Sequence, residues 1–255
     1  MATAVKSVSK PATPAPKSTQ VTVSKDFGIV EGTEVPDFIK KDTARGAENA
    51  TMQDIAIPRL EIVQALSPAI KKGDPLFIPG AEQGQLLNSV SRENYGETVW
   101  VCPVYFIKQW LVWKDQKKGG GFGGAYDTKE EADTEAESRG EDWESIDTPQ
   151  YVCLLRDGRE IMVSMPKTKA KISRQWQALA RMAEGDLFSR VYKLTTAMET
   201  NANNQSYYNY SVSVAGFPSK PLYEAAEALY ARIKGGQRKV VMHTDDIVEG
   251  VASEI

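Results

Sequence analysis

The sequence predicts a mainly β domain with helices: a five-stranded barrel in the chain order β-β-β-α-β-β, with an N-terminal extension and a C-terminal helix. Three observations carry this. Thr98 to Lys114, TVWVCPVYFIKQWLVWK, is long, free of glycine and rich in β-branched and aromatic residues, the composition of a long strand. Tyr151 to Met165, YVCLLRDGREIMVSM, reads as a hairpin about Asp157-Gly158, a pair suited to the positive backbone angles of a tight type I′ turn. Lys167 to Ala183 then has helical periodicity and is followed by two more strand-like segments.

The long strand sets the frame. Trp100, Cys102, Val104, Phe106, Lys108, Trp110, Val112 and Lys114 alternate with Val99, Val101, Pro103, Tyr105, Ile107, Gln109, Leu111 and Trp113. The first half is apolar on both faces, which predicts burial on both sides. The second half mixes Lys108, Trp110, Trp113 and Lys114, and unpaired lysines are costly to desolvate. The strand is therefore expected to leave a core as a ribbon of aromatics and cations. Two readings of that ribbon stand: tryptophans packed on the core with snorkelling lysines, or a surface on which bases stack.

In chain order, residues 1 to 52 read as a disordered or extended tail, mildly basic at first through Lys6, Lys10, Lys17 and Lys25 and interrupted by Pro11, Pro14 and Pro16. Ile55 to Ser67 suggests a strand or short helix docked on the domain. Lys71–Pro75 and Pro79–Gly84 read as turns, Gln85–Val90 as a short strand, and Asn94–Gly96 as a turn into the long strand. Lys117 to Tyr126, KKGGGFGGAY, contains GxGxxG only because nearly every position is glycine. No GK[ST] follows, so it is read as a mobile loop presenting aromatics, not a phosphate loop.

Asp127 to Asp147 carries ten acidic and two basic residues. It is read as a solvated helix from Thr128 to Ser138 within an insertion at 127–149; a lid competing for a basic groove is the sharper alternative. In the following helix Ile172, Trp176, Leu179 and Met182 form the expected buried stripe, with Gly185 as its stop. Leu187 to Thr200 and Tyr207 to Val214 are the last two strands, joined by an Asn-rich turn at 201–204. In the second of these strands, Tyr208, Tyr210, Val212 and Val214 form the core face. Leu222 to Ile233 is a closing amphipathic helix with Leu222, Ala225, Ala226, Leu229 and Ile233 inward, and Arg238 to Ile255 is an acidic flexible tail. The domain proper spans 53–237.

Composition narrows the function. Hydrophobic content of 41% with 25% charge fits a globular chain, and no apolar run approaches the ~20 residues that span a bilayer. Cys102 and Cys153 sit in predicted strands and read as free buried thiols in a reducing compartment. Two cysteines and the single His243 disfavour a Cys/His zinc site, and no metal or other cofactor is expected. The net charge of -3 conceals an acidic insertion of -8 and a remainder of +5.

A helix between the third and fourth of five strands is the chain order of an OB-fold; an unrelated α+β sheet domain shares it. The acidic insertion falls on the first connection of this barrel and the Asn-rich turn on its last. Four stretches carry a further resemblance: Ile57 to Pro68 (IPRLEIVQALSP), Tyr95 to Tyr105 (YGETVWVCPVY), the Gly-rich loop before Tyr126-Asp127, and Tyr192 to Thr196 (YKLTT) with Tyr207-Tyr208-Asn209. In these, residues 55 to 233 resemble the single-stranded DNA-binding proteins of tailed bacteriophages. The resemblance implies an OB-fold that binds and protects single-stranded DNA with little sequence preference, in phage replication or recombination, in the host-cell cytoplasm. It also implies replication or recombination partners recruited by an acidic C-terminus, a pattern that Asp245, Asp246, Glu249 and Glu254 meet only in part.

On that reading Trp110, Trp113, Phe122, Tyr126, Tyr192 and Tyr207 are the candidate stacking platforms. Lys108, Lys114, Lys117, Lys118, Arg156, Arg159, Arg190 and Lys193 are the candidate phosphate contacts. Lys169, Lys171 and Arg174 rank lower, because they lie on the helix that plugs the barrel. No catalytic residue is expected. The alternatives are a structural or assembly protein using the same aromatic surface against protein, and a metal-dependent nuclease using carboxylates of the acidic run.

Overall fold

The computed structural model describes residues 37–39, 45–50, 55–201, 204–238 and 240, with the side chain of Gln116 excepted. The chain divides into two units, Met1–Asn49 and Ala50–Ile255, and the fold reported is that of the second. Most of the two expected tails lies outside the described residues.

Among the described residues nine strands and three α-helices follow in order: β1 (Leu60–Ile62), β2 (Leu86–Asn88), β3 (Asn94–Gly96), β4 (Thr98–Lys114), β5 (Phe122–Tyr126), α1 (Lys129–Arg139), β6 (Trp143–Leu155), β7 (Glu160–Ser164), α2 (Ala170–Arg181), β8 (Val191–Thr200), β9 (Ser206–Gly216) and α3 (Lys220–Lys234). The fold is mainly β with a few helices. The main sheet runs β7-β6-β4-β8-β9 with β5 also on β4, and β1-β2-β3 form a second, small sheet. The expected closed five-stranded barrel is corrected here: both sheets are open, and β7 and β9 are the two ends of the main sheet's path.

β4 organises the sheet. Along one edge it pairs with β6 from Val101 to Lys114. The other edge is divided, pairing with β8 over Thr98–Val101 and with β5 over Trp110–Trp113. The register slips between Pro103 and Tyr105, which face Cys153 and Val152, so Val104 is an extra bulged residue. A bulge is where a central strand tolerates a proline, which cannot donate to the ladder. The bulge also ends the strict alternation expected of this strand. Val99 and Val101 lie on the same side as Phe106, while Cys102, Val104, Tyr105 and Ile107 lie on the other.

α2 covers the inner face. Trp176 stacks on Tyr151 with ring centroids 4.1 Å apart and meets the Tyr192 edge at 5.5 Å. Tyr151 donates to the Ser173 carbonyl at 3.1 Å. Met182, expected in the buried stripe, is 84% exposed because α2 ends at Arg181. α3 covers part of the outer face, where Ala226 and Leu229 pack with Cys102, Val104, Val152, Leu154 and Phe188. Burial pushes the Cys102 thiol up to about 12 and the Cys153 thiol well above its ordinary value, so both are inert core groups.

Three local expectations change. Asp157 is not at positive φ and Gly158 is, at 83°, so the β6–β7 loop is a type I turn followed by a left-handed glycine rather than type I′. The Gly-rich stretch is an ordered strand, β5, and Asn94–Gly96 is strand β3 rather than a turn. Arg238, expected in the loose tail, is 3% exposed and bonds Glu160 and the Ile55 carbonyl.

The segment before and through β1 bridges the open seam between β7 and β9. Arg59 forms a parallel bridge with Met162 of β7, whose N–H donates to the Pro58 carbonyl at 2.7 Å. At the other end the Gln64 side chain acts as a strand residue toward β9: its Nε2 donates to the Tyr208 carbonyl at 2.7 Å and its Oε1 accepts from the Tyr208 N–H at 2.9 Å. Tyr210 Oη donates to the Leu60 carbonyl at 2.7 Å. Gly84 (φ 83°) lies so close to Tyr208 that a Cβ would sit 2.6 Å from its ring, so a side chain there would be strained and would displace the tyrosine.

Two stability outcomes follow from this packing. Trp176→Ala should cost ~3–5 kcal/mol in urea denaturation. Gln64→Ala should cost ~1–3 kcal/mol and selectively speed hydrogen exchange at the Tyr208 amide, because it leaves two part-buried backbone groups without partners. Uniform acceleration across β8 and β9 would contradict the seam's local role.

Candidate nucleic-acid interface

The expected site residues separate into an acidic arm and a basic sheet face. The arm is the outer half of β4 with β5 and the start of β6. Its two faces are both occupied. On one, Trp113 (5% exposed) packs with Leu111, Ile146 and Phe122, the Trp113 and Phe122 rings 5.2 Å apart. On the other, α1 is seated: Ala132 and Ala136 pack against Val112, with Trp110, Tyr126 and Trp143 around them. Small alanines on an otherwise charged helix let its backbone approach the sheet, and Gly123 makes the matching space, since a Cβ there would lie 2.7 Å from Val112 Cγ1. Thr128 caps α1 by accepting from Glu131 N–H, and Asp133 accepts from Ser145. The acidic helix expected at Thr128–Ser138 is present as α1, its charged side chains mostly exposed and its two buried alanines docked on the arm.

Carboxylates surround the arm's cations. Residues 108 to 148 carry six Lys or Arg against eleven Asp or Glu. Lys108 lies 3.3 Å from Asp147 and 5.2 Å above the Trp110 ring, and Lys118 lies 3.8 Å from Asp142. Lys129 approaches the same Trp110 ring at 5.7 Å. Beside Tyr126 runs a shallow groove lined by Asp127, Glu130, Glu131 and Glu135. Lys114 and Lys117 have no carboxylate partner among the described residues, yet they stand in this negative field.

The remaining candidates spread over the rest of the domain. Tyr192 is 0% exposed, in the core with Trp176. Tyr207 donates to Glu199 at 2.8 Å, and Glu199 also accepts from Lys171 and Asn209. Burial raises the Glu199 carboxyl, but these donors outweigh it and hold the group below its ordinary range. Arg159 is held between Glu93 (2.5 Å) and Asp157 (2.7 Å), two carboxylates that compete with any phosphate. Trp113 and Tyr192 thus have no face to offer a base, and Arg159 is already neutralised.

Arg156, Arg190 and Lys193 differ, for none has a carboxylate partner among the described residues. Lys193 on β8 is the cross-strand partner of Trp100 on β4, and both side chains are half-buried. The Arg156 guanidinium lies 4.1 Å from the Trp100 ring centroid. Because Val99, Val101, Tyr192, Leu194, Tyr210 and Val212 point inward, their neighbours form two outward rows across three strands. One is Trp100–Lys193–Ser213 and the other Thr98–Thr195–Ser211. They make a flat surface of one indole, one ammonium and hydroxyls, with an arginine beside it and no carboxylate in either row. Arg190, three residues before Lys193, stacks on Phe217 at 3.8 Å.

Sequence reasoning passed over Trp100 because it lies in the apolar half of β4, read as buried on both faces. The structure corrects that: Trp100 is only partly buried, with Arg156 lying over its ring. Its signal was the absence of apolar partners opposite, since Lys193 and Ser213 share its row.

Among known protein families, the Pam3 phage gp34-like protein family matches residues 29–239 of the chain. No curated protein and no solved structure matches it. No helix among the described residues is long and apolar enough to cross a membrane.

The seating of α1 has a direct test. Gly123→Ala should destabilise the arm by ~1–3 kcal/mol through overpacking against Val112 and Trp143. Limited proteolysis should then cut between residues 115 and 142 sooner than in the wild type, while the β8–β9 amides keep their protection.

Proposed function

We propose that this chain, which belongs to the Pam3 phage gp34-like family, binds and protects single-stranded DNA with little sequence preference during phage replication or recombination. The observation that carries the reading is the Trp100 platform with Arg156 and Lys193. The part of the Trp100 ring left open can take any base, because every base has a π-face, and adjacent cations take the phosphates. Threonine and serine hydroxyls in the same rows supply donors to phosphate oxygens without adding charge. We infer further that the domain is an opened OB-fold. β4, β6, β7, α2, β8 and β9 keep that barrel's chain order, and the β1 segment occupies the seam where its end strands would otherwise meet. The acidic insertion then lies on its first connection and turns a negative surface away from the strand path. The reading makes the protein a binding protein of the host-cell cytoplasm rather than an enzyme, with replication or recombination proteins as its partners.

Titration with oligo-dT, followed by tryptophan fluorescence, tests this. Saturable quenching should appear at low salt and be reversed by high salt. One stacked base is worth ~1–3 kcal/mol, so Trp100→Ala should weaken binding roughly 5- to 150-fold and remove most of the quenching. Trp110→Ala should change affinity little. Replacing Arg156 or Lys193 by Ala should lower the slope of log affinity against log salt by about 0.7 each, the increment for one phosphate on a single strand. Absence of quenching together with absence of a mobility shift would reject DNA binding and leave the protein-contact alternative.

A further inference from the structure

We propose that β9 is a self-pairing edge, through which two copies of this chain join their main sheets about a two-fold axis at Ser213. β9 ends the main sheet, and its eleven residues, SYYNYSVSVAG, include no charge and no proline. Exposed edges ordinarily carry lysine, proline or cover, because an unpaired row of N–H and C=O groups recruits another strand. Here the first half is covered, since Gln64 takes both backbone groups of Tyr208. The second half has no such partner among the described residues.

The contact at Gln64 fixes the phase of the strand. Tyr208 turns its N–H and C=O away from β8, so in an antiparallel ladder Val212 and Val214, two and three pairs further on without a register shift, must do the same. The next register shift comes after Val214 and leaves Ala215 as an extra residue, which ends the regular run. Two groups of hydrogen-bonding atoms, on Val212 and Val214, therefore point off the sheet with Ser213 between them.

That spacing is its own complement. About a two-fold at Ser213, Val212 of one copy faces Val214 of the other and exchanges both hydrogen bonds, and Ser213 faces Ser213. Valine meets valine on the inner face, where Val214 is 50% exposed in the single chain. No like charges are brought together, as they would be if either strand carried one. A charged segment of another protein would gain nothing from this edge beyond the ladder; a second copy also gains the valine contacts. Phe217, 73% exposed just beyond the strand, adds apolar surface at each end of the contact.

The axis stands perpendicular to the sheet, so both outer faces stay on one side. The row Trp100–Lys193–Ser213 then continues into its copy, with the two indoles five strand spacings, or roughly 24 Å, apart. This last consequence rests on the nucleic-acid reading; the pairing itself does not. The run is short, so the dimer should be weak and concentration-dependent.

Sedimentation equilibrium on the full chain without DNA tests the pairing independently of DNA binding. The mass should rise from 28.1 kDa toward twice that value as concentration increases from nanomolar to submillimolar. Val214→Pro removes an outward N–H and no ladder bond to β8, so it should leave circular dichroism unchanged and hold the protein monomeric. Ser213→Cys should form a covalent dimer under mild oxidation, since residues in a facing pair without mutual hydrogen bonds lie ~4.5 Å apart at Cα. Ser211→Cys, offset from the axis, should cross-link far more slowly. A wild type that stays monomeric throughout, a Val214→Pro variant that dimerises like wild type, or equal cross-linking of the two cysteine variants would each overturn the proposal.

Discussion

The divided edge of β4 is the constraint on which the rest depends. One edge of this seventeen-residue strand runs against β6 without a break, while the other is shared between β8 and β5. A strand with two partners on one side must belong to two packing environments. Toward Thr98 it lies between α2 and α3, in the domain's main core. Toward Lys114 it leaves that core and needs a second one, which the arm builds from Trp113, Phe122, Leu111 and Ile146 on one face and the alanines of α1 on the other. Val104 is the joint, because an inserted residue bends the strand and exchanges its faces in one step.

The same division sorts charge. Every aromatic of the arm is engaged by protein, and its lysines stand among carboxylates. The face formed by β4, β8 and β9 has the reverse character, with few apolar groups and cations that have no carboxylate partner among the described residues. Negative charge is thus concentrated about the arm, while these cations lie on the sheet face, and each field falls off over about 8 Å in solution at physiological salt.

Much of the fold could be read from the sequence. The long strand, the hairpin at Asp157-Gly158, α2 with Trp176, the two late strands and α3 all carry strong local signals: β-branched runs, a turn dipeptide, or apolar residues at helical spacing. What escaped was non-local. Nothing in FGGAY says strand, for Gly123 is dictated by the proximity of Val112 and Trp143 and Gly124 by its positive φ beside the Tyr126 ring rather than by strand preference. The bulge at Val104 is visible only against β6. For the candidate site, the sequence named Lys193 on β8 and Arg156 at the β6–β7 turn, which lie beside Trp100, but it named Trp110 and Trp113, which pack in the arm. An aromatic next to lysines in sequence, such as Trp110, alternates onto a face that α1 covers, whereas Trp100 meets its lysine only across the ladder. The barrel closure failed for a similar reason: strand order is legible, but whether the end strands touch depends on what occupies the seam.

The occupant of that seam comes from far away in the chain. Gln64 and Tyr208 are 144 residues apart, and Leu60 and Tyr210 are 150 apart. Contacts of such separation incur their loop-closure entropy before they return any energy, so they form late in folding and slowly. The β6–β7 and β8–β9 hairpins close locally and can be complete while the gap between β7 and β9 still stands open. Leu60 and Ile62 belong to the same core as Tyr151, Tyr192 and Tyr210, so that core is complete only once the bridging segment, made early in synthesis, is in place. The order of assembly is thereby written into the connectivity: two hairpins, then the helix beneath them, and finally the strap drawn across from the other end of the polypeptide.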